Sequence, residues 1–451
     1  MTRIAALDID ENRSLWLAGA PDYAPEPPLR GSTSADVAII GGGFTGVSTA
    51  YHLSRRFPEK RIILLEARSL ANGASGRNGG QMLNWIAGAE TRDPELTRLI
   101  YETTKAGIDE IEQIIRENRL QVRYRRQGCL QVFTNASRAE HAHAHVEELR
   151  RLGIPLSFLQ GAELLQHLRA EGARGAIFDA SEGQINGVDL IRELRPVLLS
   201  RGVGIFENTP VIAVQEGSTI TLTVPEGEVR AASIVLATNA YTPRLGYFKT
   251  GIFPLHSYVI ATEPLDVEER KTLGWGLATG FSDDLDRISY AAVAPGGEIV
   301  FGGGSNASYA YRFGGKTQLP GPPDGGHALK GYGAVERRLA DYFPAVAQRR
   351  IAHRWTGVLG ITMSRMCSMG VRGEHRNIYF ALGYSGHGVT MANVAGRVLC
   401  DIYSGDDERW RRLPFYQKRL GGVPPEPLRW LGYHIYTRLT GRSPRKMDEI
   451  V

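Results

Sequence analysis

Three cysteines are few for 451 residues, and Cys129, Cys367 and Cys400 lie too far apart for a metal-ligand or redox-pair spacing. Their odd number speaks against a disulfide framework, so reduced structural thiols and no metal site are expected. No stretch approaches the roughly 18 to 20 consecutive apolar residues of a spanning helix, which excludes a helical integral membrane protein. The opening MTRIAALDIDENRSLW carries Asp8, Asp10 and Glu11 where an export signal needs an apolar core, so a cytoplasmic location is expected. The net charge of +5 is spread thinly and no basic face interleaved with aromatics is evident, which argues against nucleic acid as a partner. Internal repeats are absent, and the only biased stretch is a Gly/Pro loop at 319–326. What is left, 42% hydrophobic and 22% charged, is the balance of a globular enzyme large enough for two interleaved domains.

Residues 1–34 read as an arm draped over the surface. Pro21, Pro25, Pro27 and Pro28 crowd it, and Gly31, Ser32, Thr33 and Ser34 break the chain before the first strand. From Asp36 the sequence DVAIIGGGFTGVSTAYHLSRRFPEKRIILLEA gives an apolar run, a glycine turn, a helix with Val47, Ala50, Tyr51 and Leu53 at helical spacing, and a second apolar run at 62–65. That is a βαβ unit. Further on, apolar periodicity predicts helices over 94–119, 147–159 and 389–403, and strands at 127–134, 176–178, 233–238 and 377–382. Alternating strands dominate 259–304, as in an antiparallel sheet. The chain thus leaves a nucleotide-binding layer for a second domain and returns to it.

Gly41, Gly43 and Gly46 follow the first strand in GxGxxG spacing and open a helix. The first permits the tight turn, the second lets backbone N–H groups approach a pyrophosphate at the positive helix end, and the third allows helix and strand to pack closely. Phe44 and Thr45 lie inside this turn. Glu66 ends the second strand 20 residues past Gly46, where a carboxylate accepts from ribose hydroxyls; Ala67 and Arg68 follow it. FAD and NAD both use such a unit. The choice of FAD comes from ASGRNGGQ at 74–81, since a glycine-rich turn after the second strand can pass close to a flat ring system. Ser75, Arg77, Asn78 and Gln81 offer donors there, beside Ala74, Gly76, Gly79 and Gly80.

Together GGGFTG, LLEA, ASGRNGGQ, ATNAYTP and GYSGHGVT resemble the FAD-dependent amine oxidases of the D-amino-acid oxidase superfamily, with the strongest likeness to gamma-glutamylputrescine oxidoreductases. The resemblance covers about 36–403. It implies an α/β (α+β) fold: a Rossmann-like, glutathione-reductase-type FAD domain interleaved with an antiparallel-sheet substrate domain. On that division the FAD domain takes 35–90, 170–245 and 345–410, the substrate domain 91–169 and 246–344, and a tail 411–451. Carried over, Gly41 to Thr45 would hold the pyrophosphate, Glu66 the ribose, the 74–81 loop the flavin, and Val211 the adenine. Ala237, Thr238 and Asn239 would pass the dinucleotide, Gly357 the ring, and Gly383, Tyr384, Gly386, His387, Gly388 and Thr390 its pyrimidine edge. There the following helix N-terminus favours negative charge.

Departures from the family matter as much. The His or Cys through which some relatives attach flavin is missing from the segments ASGRNGG and WTGVLG, so FAD is expected to be noncovalent. An Arg and a Lys that grip a substrate carboxylate in relatives correspond to Asn84 and Thr390, and an oxygen-activating Lys corresponds to Val300. A small free amino acid is therefore disfavoured. Arg365 and Arg372 could still serve a carboxylate, which keeps an amino-acid oxidase or dehydrogenase as the alternative, with a flavin-binding redox sensor further off. Either dioxygen or a quinone would accept the electrons.

Trp85, Tyr258, Trp355 and Tyr384 adjoin the motifs and would suit a cage for a cationic or polymethylene amine; core packing is the competing account. His387 is read as a structural or flavin-polarising residue before an acid–base one, because hydride transfer from a neutral amine needs no obligatory base. In the tail, Leu428, Leu431, Ile435 and Leu439 share a helical face with Arg429, Arg438, Arg442, Arg445 and Lys446 nearby. Such a helix packs on its own body or a partner subunit, or lies peripherally on the inner face of a membrane.

Overall fold

The computed structural model describes residues 14–20, 22–285, 287–318 and 326–440. The acidic start, most of the Gly/Pro loop and the basic residues after Thr440 lie outside these.

Four consecutive buried apolar side chains in Ile62–Leu65, and four more at the end of Gly31–Ile40, suit strands covered on both faces of a parallel sheet. They pair in register, Val37 with Ile62 and Ile40 with Leu65. The eight-stranded sheet runs Ala213–Gln215, Ile220–Val224, Gly227–Leu236, Gly31–Ile40, Ile62–Leu65, Gly204–Phe206, and Ile378–Leu382 lies parallel to Gly227–Leu236 with Ser368–Arg372 antiparallel beside it. The predicted strand at 233–238 is the buried end of a longer one. Over this sheet the helices Phe44–Arg56 and Gly388–Ser404 pack together so closely that a Cβ on Gly396 would overlap Ser48, whose Oγ donates to the Asn393 carbonyl at 2.6 Å.

A nine-stranded sheet stands against this layer. Its order is Tyr309–Ala310, Phe253–Thr262, Ile299–Gly303, Ser289–Val293, Gly280–Asp283, Cys129–Phe133, Gly175–Asp179, Ser157–Leu159, and Ile351–Ile361 also pairs with Phe253–Thr262. All pairings are antiparallel except Gly280–Asp283 with Cys129–Phe133. Gln81–Met82, Gly183–Ile185 and Tyr124–Arg125 form a small sheet between the two. Alternation sorts the central strands into two faces. Val259, Ala261, Val300 and Trp355 join the core of the nucleotide layer, whereas Tyr258, Ile260, Phe301 and Phe281 join the core beneath the helix Gly326–Tyr342.

Several expectations shift. The helix predicted over 147–159 spans Ala136–Arg151, because Asn135 caps it by accepting from Arg138 N at 3.0 Å and the Gly153–Pro155 stretch stops it before the strand Ser157–Leu159. Only Ala139, Ala142 and Val146 are buried on that helix, so its apolar signal is faint. The helix Gly187–Ser200, capped by Asn186, has no counterpart in the sequence reading; Pro196 lies within it. The strands Gly175–Asp179 and Ile351–Ile361 belong to the nine-stranded sheet, although the sequence division gave both segments to the FAD domain. The arm is not simply draped: Ser14, Leu15 and Trp16 are buried, and the first strand already begins at Gly31, paired with Gly227.

Candidate flavin site

Two of the three fingerprint glycines, Gly41 and Gly46, meet backbone that leaves no room for a side chain, and Gly43 faces a serine hydroxyl. Gly41 has φ +110°, and a Cβ there would stand 2.8 Å from the Ala237 carbonyl oxygen; a Cβ on Gly46 would overlap the Gly41 carbonyl; one on Gly43 would stand 2.7 Å from Ser75 Oγ. The turn therefore carries its first amides to the N-terminus of Phe44–Arg56, for which Gly43 is the N-cap. Glu66 closes the far side. Its Oε2 accepts from Gly42 N at 2.7 Å and its Oε1 from Arg68 N at 2.9 Å. Burial raises its pKa, and those two amides work against the rise. Thr209 N donates to the Glu66 carbonyl at 2.8 Å, which brings the segment leading to buried Val211 alongside.

The 74–81 loop folds back onto this turn, with Ser75 Oγ accepting from Phe44 N at 2.9 Å. Its other polar side chains are engaged by protein rather than held out as free donors. Asn78 Nδ2 donates to the carbonyls of Ala74 (3.1 Å) and Ser75 (2.7 Å), while its Oδ1 accepts from Gly80 N. Arg77 Nε donates to the Asn72 carbonyl at 2.8 Å, and Gln81 Nε2 to the carbonyls of Phe281 and Ala291. These residues shape the loop and tie it to the opposing sheet. The arm adds two more ties: Ser14 Oγ donates to Gly76 O at 2.5 Å and Trp16 Nε1 to Asn78 O at 2.7 Å.

The second loop, 383–388, is held by Asn239, a residue with φ +39° whose Oδ1 accepts from Gly383 N at 2.9 Å. Asn239 thus joins the Ala237, Thr238 turn to the loop that caps Gly388–Ser404, and a Cβ on Gly360 would crowd its amide. His387 is the N-cap residue of that helix. Its Nδ1 and the Thr390 Oγ1 are buried without a hydrogen-bond partner. Burial lowers the His387 pKa, so the ring is neutral at neutral pH, and the nearby Arg365 guanidinium acts in the same direction.

Of the four aromatic residues expected around the cavity, Tyr258 packs in a different core from Trp355 and Tyr384. Among the described residues no ring contact joins Trp85, Tyr258, Trp355 or Tyr384. Trp85 is 42% exposed; Tyr258 lies on the opposite sheet face, edge-on to Tyr332 at 5.0 Å; Tyr384 OH pairs with Thr45 Oγ1 at 2.7 Å. Trp355 does face the flavin loop and donates from Nε1 to Arg77 O at 2.9 Å, next to Gly357, where a Cβ would stand 3.2 Å from that same oxygen. Tyr290 is the aromatic the sequence reading missed. A Cβ on Gly79 would stand 2.8 Å from its ring, and burial pushes its hydroxyl up to about 12. It pairs with Gly302, two positions from Val300 and hence on the same face. Its alternation was readable, but its strand register was not.

Asn84 is 6% exposed and fully engaged. Its N donates to Glu182 Oε1 at 2.7 Å, its Nδ2 to Asp179 Oδ2 (3.2 Å) and Ser181 Oγ (3.1 Å), and its Oδ1 accepts from Thr104. Burial, with the Asp179 charge second, raises Glu182 to about 8. Three residues on from Thr104, Gly107 meets Thr390: a Cβ on the glycine would lie 3.3 Å from the Thr390 methyl. Neither Arg nor Lys contacts Asn84 in these bonds. Arg372 is remote, stacked on Tyr247 and Phe248, while Arg365 is exposed near His387.

Glycines that admit no Cβ around a helix N-terminus, a carboxylate at the ribose position, and unpartnered buried polar atoms at a second helix N-terminus fit a bound dinucleotide carrying a flat ring. Fold and site thus fit a dinucleotide-binding protein whose nucleotide layer meets a second, mostly antiparallel sheet. The chain belongs to the FAD dependent oxidoreductase (DAO) family, which it matches over residues 36–402, and it is an FAD-dependent enzyme. It is 28% identical to gamma-glutamylputrescine oxidoreductase of Escherichia coli over 448 residues, 95% of this chain and 98% of that protein. In fold it is similar to glycine oxidase from Geobacillus kaustophilus, with a TM-score of 0.71 and 21% identity over 86% of this chain and 100% of that one. L-proline dehydrogenase from P. horikoshii superposes with a TM-score of 0.68 and 18% identity, over 92% and 99% respectively.

Proposed function

We propose that the enzyme oxidises the C–N bond of a primary or secondary amine of the gamma-glutamylputrescine kind, and that the imine formed is hydrolysed. The observation that carries this is the wall around Asn84, where Asp179, Ser181, Glu182 and Thr104 bond it and, among the described residues, no Arg or Lys side chain does. Bound FAD, held noncovalently, supplies the hydride acceptor. The chain's part is to bind and orient. Gly41, Gly43 and the amides opening Phe44–Arg56 take the pyrophosphate, Glu66 with Ala67 and Arg68 the ribose side, and Val211 the adenine. The loops 74–81 and 383–388 hold the ring, and the N-terminus of Gly388–Ser404, with neutral His387, favours charge arriving on it. Val300, Tyr290 and Trp355 supply the facing wall and exclude water.

The acceptor is dioxygen or a quinone. No described helix is long and apolar enough to cross a membrane. The three buried free thiols are compatible with the reducing cytoplasm.

One observation favours a second reading. Arg365 lies close enough to His387 to influence it, so an amino-acid substrate could anchor its carboxylate there. Product analysis separates the two. Turnover with a gamma-glutamylated diamine should release an aldehyde, trapped as a hydrazone, and Arg365→Ala should leave that turnover intact. Turnover only with amino acids, lost in Arg365→Ala, would establish the second reading. FAD binding with no amine or amino-acid turnover would mark a redox sensor instead.

A further inference from the structure

The terminal helix Leu428–Leu439 turns its apolar side away from the protein. At 3.6 residues per turn, Leu428, Leu431, Ile435 and Leu439 fall within about 80° of one another. Their exposures of 60%, 49%, 49% and 75% leave most of that stripe in water. The body is met by the other side: Asn306 Nδ2 donates to the Thr437 carbonyl at 3.1 Å, and the Tyr433 ring lies 5.6 Å from that of Tyr311. An amphipathic helix on a globular surface ordinarily faces the other way. Scattered exposed leucines are unremarkable, but a contiguous outward stripe of this kind marks a docking surface.

We propose that this face docks on an anionic lipid surface. The charges bordering the stripe carry the choice of occupant. Arg438 is exposed on one side of it; on the other, Tyr436 lies beneath the Arg287 guanidinium, 5.1 Å from the ring centroid. Aliphatic residues on one helix face, bordered by arginines and by a Tyr ring, match the layering of a headgroup boundary. A second copy of this chain related by a two-fold axis would instead bring the same basic border against itself. The inference is independent of the amine substrate. It gives the enzyme a place at the membrane surface, where a lipid-soluble electron acceptor would be found.

Flotation of the FAD-loaded full chain with vesicles of phosphatidylglycerol and phosphatidylcholine, against phosphatidylcholine alone, tests it. The wild type should float with the anionic vesicles and lose binding in high salt. Leu431→Glu/Ile435→Glu should weaken binding at least about tenfold, and Arg438→Ala about fivefold. Unchanged flavin absorbance would show both variants folded. Three results would each overturn the proposal: a wild type that stays in the dense fraction, flotation unaffected by the double substitution, or a concentration-dependent dimer, broken by that substitution, in a protein that ignores vesicles.

Discussion

Removing the two ties between the arm and the flavin loop should weaken FAD binding more than it weakens the fold. Ser14 and Trp16 are 0% and 2% exposed, and each donates to a loop carbonyl, Gly76 O at 2.5 Å and Asn78 O at 2.7 Å. A buried hydrogen bond of this kind contributes about 0.5–1.5 kcal/mol, and more when its loss strands the acceptor. Because the loop must hold one shape to receive the ring, loosening it lowers the competent fraction and raises the apparent dissociation constant in proportion. Ser14→Ala removes the hydroxyl that donates to Gly76 O and that also caps the helix Leu15–Ala18 by accepting from Leu17 N at 3.3 Å. At about 1 kcal/mol its FAD dissociation constant should rise about fivefold. Trp16→Phe also loses ring contact near Gly80 and should reach about tenfold. Titration of apoprotein by flavin fluorescence quenching reads the constants, and thermal unfolding of the apo and holo forms gives the control. Equal losses of thermal stability in both forms, with an unchanged dissociation constant, would refute the reasoning and leave the arm a purely structural strap.

Gly46→Ala, whose methyl would overlap the Gly41 carbonyl, should yield a chain that retains no flavin colour on purification, while Gly276→Ala, with open space around it, should retain it. Asn239→Ala strands Gly383 N and should cost about 1–2 kcal/mol, seen as a lower holoenzyme melting temperature and a shifted flavin potential. Glu182 has a folded pKa of about 8 against 4.5 for a free carboxyl. The folded state therefore holds the proton more tightly than the unfolded one, and this group's contribution is complete below 4.5 and lost as pH rises through 8. Glu182→Gln should flatten the decline in melting temperature across that window, and an undiminished slope would place the titration elsewhere. His387→Ala should slow amine-dependent reduction by less than about a hundredfold; a larger loss would assign His387 the acid–base role.

Legibility in the sequence followed locality. The unit from Asp36 to Glu66 announces itself because a glycine turn, a helix and two buried strands are encoded within 31 residues, although its first strand and helix pack more on Gly227–Leu236 and Gly388–Ser404 than on each other. The loops 74–81 and 383–388 were likewise visible from composition. Which way their side chains turn was not: Asn78 spends its amide on its own loop, Gln81 reaches the carbonyls of Phe281 and Ala291, and Arg77 bonds the Asn72 carbonyl and, 279 positions on, that of Thr356. The expected aromatics part for the same reason. Tyr258 and Val259 are neighbours in sequence, but alternation sends them to opposite cores, and only the pairing of Val259 with Gly302 and Trp355 tells which faces the loop. Tyr290 was missed because its pairing with Gly302, which puts it on the face of Val300, is a fact of register. Glu182 and Asp179 belong to no sequence motif, and only the folding of their turn brings them against Asn84.

The central claim, amine oxidation at a noncovalent flavin without a carboxylate clamp, is tested most directly by anaerobic titration of the purified holoenzyme while its flavin spectrum is followed. A gamma-glutamylated diamine should bleach the flavin at stoichiometric levels, glycine and proline should not, and acid precipitation should release all of the FAD into solution. Bleaching by free amino acids alone, or flavin that stays with the precipitated chain, would contradict the account.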